Sequence, residues 1–374
     1  MTSNNPIPFV DLAADFERDK TEILEEIGEV ISSGKYILGP RVLDFEREVN
    51  EYLQTNTVSV GNGSDALVIC LKLIGVQEGD EVITVSNSFI ATSWAIRAVG
   101  AIPVFVDIDE SLNINPDLIE GAITPRTRAV IPVHLYGNPC NLRKINKISK
   151  EYGIAVIEDA AQAIGARFNN SLVGSMGNLA TFSLHPLKNL SVIGDGGFIT
   201  THDLELAERL KVLRNHGLIT RDKVSVWGYN SRLDEVQAAV ALIRMKRFQA
   251  DFVRRKEIAD KYQLELGKYF VFPLKMVNAE HAYHRFVLID AERDCLIAYA
   301  KNFGIELAIH YPIPIHKQPI GRDCVISGSL DKTELYANSI VSLPNYPTMT
   351  NNQVDRVIEC LLRYKGEKIS KTGP

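Results

Sequence analysis

Three stretches of the chain carry residues whose types and spacing suit chemistry. In ATFSLHPLKNLSVIGDGGFITT (180–201), a strand-like run enters a turn holding His185, Pro186, Lys188 and Asn189, and Gly194-Asp195-Gly196-Gly197 closes a second turn. A lysine buried between two strands beside positive charge loses protons more readily, and a neutral amine attacks a carbonyl. On an open turn the same residue would be an ordinary solvated lysine. In VSVGNGSDALVICLKLIG (58–75), Gly61 and Gly63 suit a tight turn, and Ser64 suits the N-cap of the apolar helix that follows. Free amides and a positive helix end suit a phosphate. The stretch also fits the dinucleotide fingerprint G-x-G-x-x-A, but that motif needs an acidic residue after the next strand. Here Asp80 and Glu81 precede the strand and Asn87 follows it, which leaves a phosphate loop or a plain capped helix. In IAVIEDAAQAIGA (154–166), an apolar run ends in Glu158 and Asp159. Carboxylates at the carboxyl end of a parallel strand sit where open α/β sheets bind ligands, although Asp159 as a helix cap explains the local sequence equally well.

These stretches need a scaffold, and the pattern supplies one. EVITV (81–85), IPVFVDI (102–108), AVIPVHLYG (129–137) and IAVIED (154–159) are near-continuous Val/Ile runs, as expected of strands covered on both faces. Helical segments alternate with them, FIATSWAIRAVG ending on Gly100 and another over Asn141–Tyr152, so a mostly parallel sheet with packed helices is expected. A long helix is expected from about Leu233, capped by Asn230 or Ser231 and striped by Val236, Val240 and Ile243. It runs into the charged stretch ADFVRRKEIADKY, where the domain junction is placed: a large domain over 1–250 and a smaller C-terminal α+β domain over 251–374. The second domain should contain strands RFVLID (285–290) and IELAIHY (305–311), a helix over Arg293–Phe303, and a last helix from Asn352 to about Tyr364. GEKISKTGP should fray.

Composition excludes several functions. With 41 basic against 46 acidic residues in 374, a net charge of −5 and no long basic block, neither nucleic acid nor a membrane surface is an expected partner. Five scattered cysteines without CxxC spacing suggest neither a disulfide framework nor a metal site. The opening residues lack a leader pattern, and no apolar run reaches the roughly 18 residues of a membrane span, so a cytoplasmic protein is expected.

Taken in order, the three motifs and their neighbours resemble the DegT/DnrJ/EryC1/StrS family of sugar aminotransferases, which use pyridoxal phosphate (PLP) and have the transferase fold type I. The likeness runs through IPFVDL, GKYILGPRVLDFERE, GNGSDAL, SNSFIATSWAI, PVFVDID, VHLYGNPCNL, IEDAAQAIGA, SLHPLKNLSVIGDGG, YNSRLDEVQAA, IHYPIPIHKQP and LPNYPTMT, nearly the whole chain. It implies an α/β fold with a large, mostly parallel central sheet and a smaller C-terminal α+β domain. Lys188 would form the Schiff base with PLP and move the substrate proton. Asp159 would face the pyridine nitrogen and keep it protonated, making the ring an electron sink. Gln162 would lie near the ring hydroxyl and Phe89 on the ring face. Ser64, the amides around Gly63 and Asp65, and Ser183 would hold the phosphate. Asn230 would reach the phosphate of a neighbouring subunit, so the site would be shared across a homodimer. His185, His310 and Tyr311 would border the sugar. The implied reaction is ping-pong, with glutamate as donor and a dTDP- or UDP-linked keto-sugar as acceptor, at C3 in preference to C4. Three rivals remain: a PLP-dependent sugar dehydratase, which would carry histidine in place of Lys188, a non-catalytic regulator, and a nicotinamide dehydrogenase. His134, His281, His284 and His316 are given no role.

Overall fold

EVITV is buried at all five positions and IPVFV at four of five, so neither strand has a polar face to offer water. They lie inside a sheet. This is a computed structural model, and it describes residues 5–372. In chain order, helices α1 (Leu12–Ser33) and α2 (Pro40–Leu53) lead into β1 (Asn56–Val60), α3 (Gly63–Leu73), β2 (Glu81–Val85), α4 (Ala91–Ala98) and β3 (Ile102–Val106). Next come β4 (Thr127–Val130), α5 (Leu142–Tyr152), β5 (Ala155–Asp159), β6 (Arg167–Phe168), β7 (Ser171–Leu172), β8 (Leu179–Ser183), β9 (Gly197–Thr201) and α6 (Leu204–Leu213). The rest holds β10 (Leu218–Thr220), β11 (Lys223–Val224), α7 (Glu235–Leu266), β12 (Ala279–Glu280), β13 (Phe286–Ile289), α8 (Arg293–Asn302), β14 (Val325–Ile326), α9 (Asp331–Ala337), β15 (Ile340–Leu343) and α10 (Asn351–Thr372).

The main sheet has eight strands in the order β1-β9-β8-β5-β4-β2-β3-β14. β9 runs antiparallel to both of its neighbours, and every other pairing is parallel. The expected mostly parallel α/β sheet is therefore present, with β9 as its one antiparallel strand. Its helix-covered faces bury Val58, Val60, Ile69, Leu71 and Ile199 on one side and Ile83, Val104, Val130 and Val156 on the other. A second core gathers Ile258 and Tyr262 of α7, Phe286 and Leu288 of β13, Val341 and Leu343 of β15, and Val354, Val357 and Leu361 of α10.

Several expectations are corrected. Residue 250 falls inside α7, which spans 32 residues, so the two cores share a helix and no linker divides them. Chain order does not respect the division either. Ile7 packs in the second core and bridges Ile305, while β14 returns to pair with β3 at the edge of the main sheet. IELAIHY makes only isolated bridges at Ile305 and Ala308, and the strand expected over 129–137 stops at Val130. The final helix continues to Thr372, so GEKISKT is helical, and Gly373 and Pro374 lie outside the described residues, as do the first four residues of the opening segment read for a leader. No helix among the described residues is long and apolar enough to cross a membrane.

The N-cap of α7 is Asp234, not Asn230 or Ser231. Its first residue, Glu235, caps another helix: the carboxylate accepts from the Arg41 and Val42 amides, both at 3.0 Å, at the start of α2. Farther along α7, ion pairs fasten α1. Arg247 donates to Asp19 at 2.9 Å and Asp15 at 3.0 Å and also pairs with Asp251, while Arg244 meets Asp15 at 2.9 Å. These groups are largely shielded, and removing Arg247 leaves Asp15, Asp19 and Asp251 with only Arg244 and Arg18 to offset them. Arg247→Ala is expected to destabilise the fold by about 3–5 kcal/mol, read as a shift in urea midpoint at unchanged slope.

His316 illustrates a misleading constellation. Its Nδ1 meets Ser86 Oγ at 2.7 Å and its Nε2 meets Glu334 at 3.1 Å, a serine–histidine–acid chain with the ring nitrogens exchanged relative to a hydrolase triad. Ser86 is fully buried, however, and its Oγ also accepts from the His316 amide at 3.0 Å, so the trio clips the 315–318 turn to the end of β2.

Candidate active site

A cavity of about 450 Å³ opens at the carboxyl ends of β1, β2, β5 and β8. Lys188, Asp159, Gln162, Ser64, Gly63, Ser183, Phe89, His185, His310 and Tyr311 all line it. Residues from widely separated motifs thus converge where open sheets bind ligands.

Each group is set by its local structure. β5 points its last two carboxylates to opposite faces. Glu158 turns inward and accepts from the amides of Gly174, Met176 and Gly177 at 2.8, 2.8 and 2.6 Å and from His134 Nε2 at 3.1 Å. Burial works against its charge, but His134 and the amides outweigh it and hold the carboxyl below its usual range. His134 Nδ1 accepts from Cys140 N–H, which fixes the proton on Nε2. Glu158 is therefore a structural anchor, and Asp159 is the carboxylate that faces the cavity. Asp159 is held by Thr92 Oγ1 at 2.8 Å, and Ser88 meets Thr92 at 3.0 Å. Its backbone bonds Pro132 O and His134 N–H, which leaves it little freedom.

The α3 end is an anion cradle. Asn62, not Ser64, caps α3, accepting from Asp65 N–H at 2.8 Å. The expected Asp65 amide is thereby already engaged, and the Asp65 carboxylate accepts from Ser231 Oγ at 2.6 Å, outside the cavity lining. Ser231 also receives the Gly61 amide at 3.0 Å and so braces the loop. Among the described residues, the Gly63 and Ser64 amides have no protein acceptor. Neither Gly61 nor Gly63 has a left-handed backbone, so the tight-turn explanation for them fails. Close approach is the reason instead. A Cβ on Gly63 would lie 2.9 Å from Ser183 Cβ, and one on Gly197 would lie 2.6 Å from the carbonyl carbon of Asn62. Gly63→Ala is expected to cost about 1–3 kcal/mol of stability and to weaken phosphate-ligand binding, measured by thermal unfolding and by titration with inorganic phosphate.

Lys188 stands in the turn after β8, with its amide bonded to His185 O at 2.8 Å. Burial pulls its amine down to about 8, with Asp159 resisting and Arg285 assisting. Gln162 Oε1 accepts from Tyr136 N–H at 2.7 Å, and its amide nitrogen reaches the Tyr311 hydroxyl at 3.4 Å. Phe89 is half-exposed at the mouth, its ring 6.1 Å from that of Tyr311. Burial lowers His310 to about 3, so it stays neutral, with Nδ1 at 2.9 Å from Ser342 Oγ. Asn230 does not line this cavity. It is exposed and bridges Asn215.

The cavity also holds residues with no role assigned from sequence: Asn62, Ser88, Thr92, Asp195, His284 and Arg285. Thr92 lies in the quoted SNSFIATSWAI stretch, and Asn62, three residues before Asp65, has the spacing of a cap. Nothing local marks Arg285.

The donor set fits PLP: an amine with lowered proton affinity, a carboxylate facing it across the cavity, an aromatic at the rim, and a helix end with open amides and two serines for a phosphate. Among the described residues no acidic, histidine and cysteine cluster is arranged to hold a metal ion.

The model of the DegT/DnrJ/EryC1/StrS aminotransferase family matches residues 17–362. A Geobacillus stearothermophilus protein named a pleiotropic regulatory protein is 40% identical, over 96% of this chain and 98% of its own. The dTDP-3-amino-3,6-dideoxy-alpha-D-galactopyranose transaminase of Aneurinibacillus thermoaerophilus is 44% identical, over 96% of this chain and 99% of its own. The crystal structure of S. venezuelae DesV in complex with a ketimine intermediate superimposes with a TM-score of 0.93 at 39% identity, covering 96% of this chain and 99% of that one.

Proposed function

The chain belongs to the DegT/DnrJ/EryC1/StrS family of PLP-dependent aminotransferases, and from that premise we propose that it transfers the amino group of glutamate to C3 of a dTDP- or UDP-linked 3-keto-sugar. The observation that carries the reading is the Lys188 amine, brought to about 8 by burial in a cavity that also presents Asp159 and the open end of α3. The 3-amino-sugar transaminase among the relatives supports the choice of carbon.

PLP, when bound, supplies an electron sink for the pair left behind as a proton departs from the carbon bearing nitrogen. Lys188 is the residue that would hold it covalently, and Asp159 would hold its ring nitrogen. Gln162 would sit beside its ring hydroxyl and Phe89 against its face, with Gly63, Ser64 and Ser183 around its phosphate. The chain's own work is proton transfer and orientation. Once its amine is neutral, Lys188 takes a proton from the donor carbon and returns one to the sugar carbon. Thr92 keeps Asp159 aimed into the cavity. Neutral His310, with His185 and Tyr311, forms the wall nearest the acceptor.

We assign Asn230 to the neighbouring subunit's phosphate site in a homodimer, supported by its exposure away from its own chain's cavity. We also propose two domains, one around each core and joined through α7, and a cytoplasmic setting, supported by five cysteines that are all free. The regulator among the relatives prompts a second reading, binding without turnover. Lys188, Asp159 and the α3 cradle, which a non-catalytic scaffold has no need to keep together, argue against it.

The test is the visible spectrum of purified protein with PLP, before and after glutamate. A lysine-bound band that fades on addition of glutamate is expected. No band, or a band indifferent to any amino donor, sinks the reading. A pH series adds an independent check. The neutral fraction of an amine grows as pH rises through its pKa, so PLP uptake by the cofactor-free protein should accelerate through about pH 8 and level off above it. Acceleration continuing to pH 10 would mean an ordinary solvated lysine.

A further inference from the structure

Arg285 is a cation in a place that does not pay for one. It is 7% exposed, its Nε is buried without a hydrogen-bond partner, and its one hydrogen bond from the guanidinium is a long 3.3 Å contact from Nη1 to the His284 carbonyl. Among the described residues no carboxylate lies within ion-pair distance of it. Phe9 lies under the guanidinium, 5.0 Å from ring centroid to charge. Its position is rigid, because its own amide bonds Tyr136 O at 3.2 Å and the Ala282 amide bonds Gly137 O at 2.9 Å. Elsewhere Arg214 pairs with Glu46, and Arg244 and Arg247 pair with Asp15 and Asp19, while Arg255, also without an ion pair, is held by the Asn345 carbonyl. A buried charge without a partner is costly, and the usual resolution is a partner that arrives with a ligand.

We propose that Arg285 is the receptor for a carboxylate carried by a substrate at the reacting end of this cavity. The inference rests on the aminotransferase reading and names what that reading leaves open: the group that orients an acidic substrate. Arginine's planar fork matches a carboxylate with two parallel hydrogen bonds, whereas a lone ammonium does not. The location suits the chemistry. Arg285 lines the same cavity as Lys188, and its charge is felt by Lys188, His284, His310 and Tyr311, the groups at the small-core wall. The α-carboxylate of an amino donor is one bond from the carbon that Lys188 deprotonates, so its receptor must stand beside Lys188. An acidic sugar would bring the same chemistry from the acceptor side. The α3 cradle already provides amides and serines for a phosphate, which leaves the arginine for another anion.

The experiment is calorimetric titration of the PLP-loaded protein with three unreactive probes, glutarate, UDP-glucuronate and UDP-glucose, in the wild type, Arg285→Gln and Arg285→Lys. One carboxylate probe should bind about ten- to hundredfold more weakly to the glutamine variant, with partial recovery in the lysine variant and UDP-glucose unchanged. A loss confined to glutarate assigns the donor carboxylate, and one confined to UDP-glucuronate assigns the sugar. Equal binding of every probe by wild type and Arg285→Gln overturns the proposal. So does a wild type that binds neither acid, or a variant that loses UDP-glucose along with them, which would mean a structural arginine. Should Arg285→Gln fail to fold, the lysine variant decides alone: unchanged acid binding with one ammonium in place of the fork also overturns it. Failure of the aminotransferase reading itself is seen separately, as wild-type protein that develops no visible band with PLP.

Discussion

Lys188→Ala is expected to lower turnover by about 10⁴-fold or more and to abolish the lysine-bound visible band, with the protein still folded. Two functions leave with one amine: covalent attachment of the cofactor and the proton shuttle at the substrate carbon. The shuttle alone is worth about 10²–10⁴. The fold should survive because the turn is built by backbone, from Lys188 N–H to His185 O and from Val192 N–H to Leu184 O, both at 2.8 Å. Stability adds a discriminating sign. Burial depresses the folded-state pKa of Lys188 to about 8, below the value of a free lysine. The unfolded chain therefore binds the extra proton between about 8 and 10.5, and wild-type stability from this group rises with pH across that window. Below pH 8 the amine is charged in both states and its burial cost is fully present. Cofactor-free Lys188→Ala should accordingly melt at or above the wild type below pH 8, and the difference should close as pH approaches 10.5. A variant that melts lower at neutral pH would show that the charged lysine supports the fold.

What the sequence disclosed followed from how far apart the interacting groups are along the chain. Strands such as EVITV and helices such as 142–152 depend on local pattern, and both were legible. So was the convergence of Lys188, Asp159, Gln162 and Ser64, because each follows a strand whose carboxyl end the parallel sheet brings to one edge. Caps were harder. Ser64 and Asn62 are both good N-cap residues two positions apart, and only the backbone decides that the Asn62 side chain reaches Asp65. Ser231 has the right chemistry for a cap, yet it is spent on Asp65 and the Gly61 amide, 166 and 170 residues away. Glu235 caps α2 across 194 residues. Such capping of one helix by a distant one leaves no periodic trace.

The charged stretch at the proposed domain junction departs from a linker for a related reason. A charged stretch usually marks a solvated linker, but in ADFVRRKEIADKY, although Lys256, Glu257 and Asp260 face water, Asp251 and Arg255 are buried and held. Asp251 meets Arg18 at 2.8 Å and also Arg247, while Arg255 reaches the carbonyl of Asn345. Charge there joins α7 to its surroundings instead of exposing it. Arg285 differs in place: it is a cation without a counter-ion that lines the cavity with Lys188. Only burial and the absence of a neighbouring carboxylate reveal it, and neither can be read from HAYHRFVLID.

Asp159→Asn tests whether the carboxylate acts by charge or by shape. Asparagine keeps a carbonyl oxygen to accept from Thr92 and still fills the space, so its loss of function isolates the negative charge. A fall in kcat of about 10²–10³ is expected, with PLP retained, because a fixed charge aimed at the reacting system contributes on that scale. The same substitution should move Lys188. Asp159 is the group that resists the depression of the lysine, so its neutralisation should push the amine further down, and PLP uptake should level off at lower pH than in the wild type. Thr92→Val leaves the charge and frees its orientation, so a smaller loss, about tenfold, is expected. The pattern separates two accounts of one residue. Were Asp159 only a cap for the turn after β5, where its Oδ1 accepts from the Ala161 amide at 3.3 Å, asparagine with its one oxygen turned to that amide would serve nearly as well. Turnover would then fall by less than about tenfold, and the lysine's pH dependence would stay where it was. A large fall in rate together with a downward shift of the lysine points to the missing charge, because a lost hydrogen bond alone would not move the lysine.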